Sequence, residues 1–229
     1  MWARIKTPPR KVNVRKSDDF MIERNLDWRE RITEYRETRL STHGKELRWL
    51  ISRERILNQA TGQVVSRSFI RHPGIAVIVP FWNEESVVLL RQYRYAVNAE
   101  LWELPAGTLA GREENHCIVT TEQPEDCAAR ELIEETGFAA NRLEKIAKCY
   151  AIPGSGDEVM HFYFAFDLQE RRQSLDVGEV ISEVRVFSLA EIEAMIDCGQ
   201  IRDAKTLIGL FYALRRNARA NRSGAFQTV

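Results

Sequence analysis

Arg130-Glu131-Leu132-Ile133-Glu134-Glu135-Thr136-Gly137-Phe138 is the stretch on which the reading of this chain turns. At 100° per residue of α-helix, Glu131, Glu134 and Glu135 fall on one face as i, i+3 and i+4. Ala129, Leu132, Ile133 and Thr136 fall elsewhere on the helix and are expected to pack inward. Pro124 suits a first turn, where its missing N–H is no loss, and Gly137 suits the left-handed position just past the last turn. A helix over 124–136 is therefore predicted, presenting three carboxylates together. Like charges that close repel one another, and a hard divalent cation relieves the repulsion. Mg²⁺ prefers carboxylate and carbonyl oxygens, bridges substrate phosphates and activates a coordinated water.

Downstream of that helix, strands are expected at Leu143–Tyr150, Val159–Asp167 and Val184–Phe187, and helices at 189–198 and 203–216. Leu207, Leu210, Phe211 and Leu214 share one face of the last helix. Upstream, Gly74–Phe81 reads as a buried strand, Asn83-Glu84-Glu85 as a turn, and Ser86–Tyr93 as the returning strand. The alternation around Leu47, Trp49 and Ile51, interrupted at Asn58–Gly62 and resumed from Val64, predicts a β-hairpin over 46–71. Trp28, Ile32 and Tyr35 at i, i+4, i+7 predict a short amphipathic helix over Trp28–Arg39. Strands and helices interleave without regular βαβ repetition, so the fold class is α+β (mixed α/β) rather than a doubly wound sheet. The expected organisation is an N-terminal extension and β-hairpin element over 1–70, a catalytic domain over 71–217 and a frayed tail over 218–229.

At 229 residues the chain can bury a sizeable core, and its 33 basic and 33 acidic side chains cancel. No global field recruits nucleic acid or a membrane surface, so an anionic ligand must be held by local cations or metal. The longest apolar run, Gly74–Trp82, is far short of a membrane span, and no apolar signal core opens the chain. The first 16 residues carry six basic and no acidic side chains, read as a solvated segment. Cys117, Cys127, Cys149 and Cys198 include no CxxC pair and are expected as reduced thiols, which fits a cytoplasmic protein.

The carboxylate helix has a context. Leu101-Trp-Glu-Leu-Pro-Ala-Gly107 precedes it, followed by Thr-Leu-Ala-Gly-Arg and Glu113. Together these segments resemble the Nudix box, G-x5-E-x7-R-E-U-x-E-E-x-G-U, where U is a bulky apolar residue. Gly107 and Glu113 match its first half, and Arg130 to Phe138 match every specified position of the second. Sixteen residues separate Glu113 from Arg130 where the family has seven, and the surplus of nine is assigned to a loop around Asn115–Gln123. Glu122, seven residues before Arg130, is the alternative first glutamate; in that register His116 stands at the glycine position, so Glu113 is preferred.

Flanking segments resemble the ADP-ribose and nucleoside-diphosphate-sugar pyrophosphatase branch: His72–Pro80, Arg91-Gln-Tyr-Arg-Tyr95, Glu103–Gly107, Ile152–Glu158 and Gly199–Thr206. The resemblance implies a Nudix α/β/α sandwich with an N-terminal β-rich element that helps build a homodimer. It implies Mg²⁺, with Mn²⁺ as a substitute, held by Glu131, Glu134 and Glu135 with Glu113 and the carbonyl of Ala106. Arg130 would orient the glutamates, Arg94 would grip a substrate phosphate with Glu103 beside it, and Glu179 or Glu183 would serve as general base on a loop beyond the box. Trp49 is either a core residue or an aromatic face for the nucleobase in the partner's site. The implied reaction is hydrolysis of ADP-ribose or a related nucleoside diphosphate sugar to NMP and sugar phosphate. GDP-mannose or UDP-glucose is the alternative substrate, and a non-catalytic Nudix-like sensor the alternative class. Neither nucleic acid nor membrane is an expected partner.

Overall fold

The computed structural model of the protein describes residues 31–32, 42–43, 46–47, 49–58, 62–114, 117–175 and 179–224. Short strands β1 (Arg31–Ile32), β2 (Thr42–His43) and β3 (Glu46–Leu47) precede the hairpin of β4 (Leu50–Asn58) and β5 (Gln63–Arg71). The central sheet follows with β6 (Ile75–Asn83), β7 (Ser86–Arg94), β8 (Ala99–Glu103) and β9 (Ala106–Thr108). A small hairpin, β10 (Gly111–Glu114) and β11 (Cys117–Thr120), leads into α1 (Pro124–Thr136). Then come β12 (Phe138–Tyr150), β13 (Val159–Glu170), β14 (Ile181–Ser188), α2 (Leu189–Asp197) and α3 (Ala204–Gly224).

The alternation of β6 explains the layers. Ala76 and Ile78 face Cys127, Ala128 and Leu132 of α1, while Val77, Val79 and Phe81 face Ile192 and Met195 of α2 and Leu210 and Ala213 of α3. A strand buried on both faces reads as one continuous apolar run, as Ile75–Phe81 does. Helices on both faces of a mixed sheet make the α+β sandwich. The sheet runs β12-β13-β6-β7-β14, with β13 parallel to β6. β6 and β7 are paired only near their turn, at Phe81↔Val87 and Asn83↔Ser86, and then splay apart. Into the gap go β9, on β6, and β8, on β7. The Leu104-Pro105 corner between them is held by Ile78 N–H donating to the Pro105 carbonyl at 2.9 Å. This split in the sheet exposes main chain next to α1.

Outside the carboxylate helix and the segment before it, the structure departs from the sequence reading as follows. Arg31–Ile32 pairs with Ile56 and Arg55 as an edge strand, where an amphipathic helix over Trp28–Arg39 was expected; the remainder of that segment lies outside the described residues. Edge N–H and C=O groups of a hairpin accept a passing strand, and such tertiary pairing overrides a weak local periodicity. Glu46–Leu47 pairs with Thr42–His43, so the long hairpin spans 50–71 rather than 46–71. Phe211 is 55% exposed, while Leu207, Leu210 and Leu214 face the core as expected and Ala213 joins them. Finally, α3 continues to Gly224, so the tail expected from 218 is helical up to that point. None of the helices formed by the described residues is long and apolar enough to cross a membrane.

Candidate active site

α1 does not turn its glutamates to solvent. Glu131 is 8% exposed and Glu135 2%, and they share the buried side of the helix with Leu132 and Thr136. Ala129, expected inside, is exposed, and Ala128 is buried in its place. The carboxylates are buried because α1 packs against β9, whose backbone they meet. Ala106 N–H donates to Glu135 Oε2 at 2.8 Å. A Cβ built on Gly107 would stand 1.7 Å from the Glu131 carboxyl carbon, so only glycine leaves room for that side chain. Gly137 closes the helix at φ 74°, its N–H donating to the Ile133 carbonyl, as the sequence predicted.

Arg130 gathers three carboxylates. Its Nη1 lies 2.7 Å from Glu131 Oε1 and 2.8 Å from Glu134 Oε2. Its Nε and Nη2 reach the two oxygens of Glu122 at 3.0 and 3.1 Å. The seven-residue spacing to Arg130 therefore runs from Glu122, which also accepts the Ala110 N–H at 2.9 Å. Glu113 sits on β10 opposite Ile118. The surplus residues are the β10–β11 hairpin, between Gly107 and Glu122, not a loop between the first glutamate and the helix. Glu122, the alternative first glutamate of the sequence reading, is thus the one bonded to Arg130, while the preferred Glu113 stands on the inserted hairpin. A hairpin can be inserted wherever its two ends lie side by side, and Thr121 N–H bonds the Ala110 carbonyl at 2.8 Å.

Burial, opposed by Arg130 and reinforced by Glu134 and Glu179, pushes the Glu131 carboxyl up to about 7. Burial and the neighbouring Glu131 push Glu135 well above the carboxylate range, against the pull of the Ala106 N–H. Glu122 goes the other way: burial would raise it, but hydrogen bonds from Arg130 and Ala110 hold it low. A pair of buried carboxylates that resist ionisation beside the backbone of Ala106 and Gly107 in β9 is a donor set suited to a hard divalent cation, which would favour the charged forms. Among the described residues, no three His, Cys, Asp or Glu side chains are already drawn together at metal-ligating distance. Arg130 instead holds Glu131 and Glu134 as ion pairs.

Across the Leu104-Pro105 corner lies a second cluster. Arg94 grips Glu103 with both arms, Nε to Oε1 at 2.8 Å and Nη2 to Oε2 at 2.7 Å. Lys205 bonds the same Glu103 and lies 3.0 Å from Asp203. Asp203 caps α3, accepting from the Thr206 N–H and hydroxyl, and the Thr206 Oγ1 in turn accepts the Leu104 N–H at 2.9 Å. Burial alone would lower the Arg94 pKa, but Glu103, Glu135 and Asp203 hold it above its ordinary value. Arg94 thus stands within electrostatic reach of Glu135.

Glu179 is within reach of both Glu131 and Glu135. Its segment is tied to α1 by Gln173 Nε2 on the Glu135 carbonyl at 2.6 Å and by Ser174 N–H on the Glu134 carbonyl at 3.2 Å. On the other side, Tyr93 N–H donates to the Val180 carbonyl at 3.0 Å. Glu183 is exposed on β14, opposite Arg91. Trp49 is half-buried just before β4, and among the described residues no hydrogen bond or ring contact joins it to α1. The sequence reading missed Lys205 and Asp203 as members of the site. The Gly199–Thr206 segment was flagged, but nothing local says that it meets Glu103, about a hundred residues earlier.

The chain is similar to proteins already known. A family model described as the NUDIX domain matches residues 71–208. The chain is 31% identical over 159 residues to an ADP-ribose pyrophosphatase of Bacillus subtilis, covering 69% of this chain and 80% of that one. It is 32% identical over 163 residues to a GDP-mannose pyrophosphatase of Salmonella typhimurium, covering 68% and 82%. Among solved structures, an ADP compounds hydrolase superposes with a TM-score of 0.61 at 21% identity, covering 84% of this chain and 93% of that one, a likeness of fold.

Proposed function

The chain belongs to the NUDIX domain family as a Nudix hydrolase, and on that premise we propose that it is a Mg²⁺-dependent pyrophosphohydrolase of ADP-ribose or a closely related nucleoside diphosphate sugar. The observation that carries this reading is the buried Glu131–Glu135 pair against Ala106 and Gly107 of β9, with the Arg94 guanidinium within its field. Glu131 and Glu135 would hold the cation, with Glu134 and the Ala106 carbonyl assisting. A divalent ion bound there supplies charge to the diphosphate oxygens and makes water a better nucleophile.

The chain's own residues do the rest. Arg130 fixes the glutamates' rotamers through charge-assisted hydrogen bonds. Arg94 keeps N–H groups beyond its Glu103 pair to receive a phosphate oxygen, as a planar fork does well. Glu179 accepts the proton of the attacking water, which forms a new P–O bond as the bridging P–O bond breaks. The products are NMP and sugar phosphate. Two named relatives act on ADP-ribose and GDP-mannose respectively, which supports this substrate class.

We further infer a homodimer in which the N-terminal β-element of one copy adjoins the other's pocket and offers Trp49 to the base. Sedimentation tests this, and a fully active monomer would overturn it. The function itself is tested by incubating the protein with ADP-ribose, GDP-mannose, UDP-glucose and NADH with Mg²⁺ and identifying products. The expected result is AMP and ribose phosphate from ADP-ribose, abolished by EDTA and restored by Mg²⁺ or Mn²⁺. Turnover that survives exhaustive chelation would overturn the metal reading, and no turnover of any of the four would overturn the substrate class.

A further inference from the structure

The N-terminal hairpin is joined to the catalytic domain at one well-defined place. Ile70 N–H donates to the Ser155 carbonyl at 2.9 Å, and Asp157 N–H donates to the Ile70 carbonyl at 3.1 Å. Arg71, last residue of β5, bonds the buried Glu54, reaches Ser52 Oγ at 3.1 Å and places Nη1 3.0 Å from Asp157 Oδ2. The other oxygen of Asp157 accepts the His72 N–H at 3.0 Å. One side chain therefore ties together the end of β5, the start of the path into β6 and the 152–158 loop.

The next residue along that loop leads into the site. Glu158 has its carbonyl held by the Ala151 N–H at 3.1 Å, and its carboxylate stands in the field of Lys205. Lys205 bonds Glu103, and Glu103 is the bidentate partner of Arg94. Hydrogen-bonded ion pairs thus join Glu54, Arg71 and Asp157 on the hairpin side and Lys205, Glu103 and Arg94 on the site side, with the half-buried Glu158 within electrostatic reach of Lys205. Asp157 and Glu158, adjacent in sequence, are the step between the two halves.

We propose that Asp157 is a positioning residue, which couples the N-terminal hairpin to Arg94 by fixing the loop that sets Glu158, Lys205 and Glu103 in place. The proposal rests on the reading of Arg94 as the phosphate-gripping arginine. Asp157→Asn keeps the shape and the acceptor for His72 N–H but removes the charge that holds Arg71. Arg94 meets the phosphate in ground state and transition state alike, so a displaced Arg94 weakens uniform binding, which raises KM while leaving kcat nearly unchanged.

The test is steady-state kinetics of wild type, Asp157→Asn, Arg94→Ala and the double variant on the preferred nucleoside diphosphate sugar, with Tm measured for each. Expected for Asp157→Asn is a KM raised about five- to tenfold with kcat within about twofold. In the Arg94→Ala background, Asp157→Asn should change KM by less than about twofold, because residues acting through one another are not additive. Should Asp157→Asn fail to fold, Arg71→Lys, which keeps the charge but loses the fork, reads the same coupling through the same cycle. A lowered Tm with unchanged KM means a structural joint only and overturns the proposal, as does full multiplication of the two KM effects. A wild type inactive on every substrate overturns the functional reading itself, whereas an active wild type with an indifferent Asp157→Asn overturns only the coupling.

Discussion

Two clusters of buried carboxylates flank the Leu104-Pro105 corner, and their charges are balanced in opposite ways. On one side, Glu103 is 1% exposed and is met by Arg94 and Lys205, with Asp203 sharing the lysine. Asp203 is accordingly held low: burial would raise it, but Lys205 and the Thr206 hydrogen bonds win. On the other side, Glu131 and Glu135 are nearly as deep, but Arg130 lies at the rim and divides itself among Glu122, Glu131 and Glu134. Their carboxyls are pushed up, not down. Burying an uncompensated charge costs several kcal/mol, so a fold keeps such a pair only where something else supplies the positive charge. The matched cluster is built to be rigid and to present Arg94. The mismatched one is where, on the proposed function, a cation would bind.

The same substitution in the two clusters should therefore act in opposite directions on stability. Glu135→Gln replaces a carboxyl that burial keeps from ionising in the metal-free fold by a neutral group of the same size, so its metal-free Tm should hold or rise, while turnover falls by roughly 10³-fold or more through loss of a cation ligand. Glu103→Gln leaves Arg94 and Lys205 without their shared carboxylate and should destabilise the protein by about 2–4 kcal/mol. Calorimetry of both variants in EDTA, with turnover measured in Mg²⁺, checks the pair. A Glu135→Gln variant that turns over normally, or a Glu103→Gln variant as stable as wild type, would break the contrast.

Next in size comes the base. Glu179 stands in the field of the mismatched pair, whereas Glu183 is exposed on β14. Glu179→Gln should lower kcat by about 10²-fold or more with little change in KM, the scale of losing general-base assistance. Glu183→Gln should stay within about twofold of wild type. The reverse ranking would move the base to β14.

How much of this was legible in the residues follows from which interactions are local. The α1 helix, its Pro124 and Gly137 ends and its glutamates could be read because capping and 3.6-residue periodicity are written within 14 residues. That the glutamates face inward could not, because their burial depends on Gly107 admitting Glu131 and Ala106 meeting Glu135 from another strand. The β6–β7 hairpin was legible from its apolar runs and turn; the splay that makes room for β8 and β9 was not, since it depends on pairing across the whole sheet. Glu122 was named only as the alternative. Its claim rests on contacts to Arg130 and Ala110 that no spacing rule reveals.

A smaller effect follows from the pKa shifts. In the metal-free protein, Glu131 keeps its proton up to about 7 in the folded state, above the ordinary value near 4.5 of an unfolded chain. Between those values the folded state binds more protons than the unfolded one, so stability falls as pH rises through that window. Glu122 and Asp203 are depressed, so their contribution is present above the ordinary carboxylate range and is lost as pH falls through their folded values. The metal-free Tm should therefore peak near pH 5 and drop by on the order of 5 °C by pH 8. Saturating Mg²⁺ should flatten the alkaline side, because a bound cation holds both carboxyls ionised. A metal-free Tm that rises from pH 5 to 8 would contradict the mismatch.

The smallest expected effect tests whether the β10–β11 hairpin belongs to the mismatched cluster at all. Removing residues 112–120 would leave Gly111 joined to Thr121, and Thr121 N–H already bonds the Ala110 carbonyl at 2.8 Å, so the closure asks little of the backbone. The result restores five residues between Gly107 and Glu122 and keeps seven between Glu122 and Arg130. The deletion does cost the Thr120 hydroxyl's bond to the Pro73 carbonyl and the packing of Ile118 near Gly111, which amounts to about 1–2 kcal/mol. Such a variant should be slightly less stable and within about threefold of wild type in kcat/KM, since none of the carboxylates meeting Arg130 has moved. Glu122→Gln in the full-length chain instead strips Arg130 of one of its three carboxylates and should cost at least tenfold more activity, because Arg130 is then free to leave Glu131 and Glu134. Equal activity of the 112–120 deletion and Glu122→Gln would take Glu122 out of the site; a dead 112–120 deletion that still folds would put the hairpin into it.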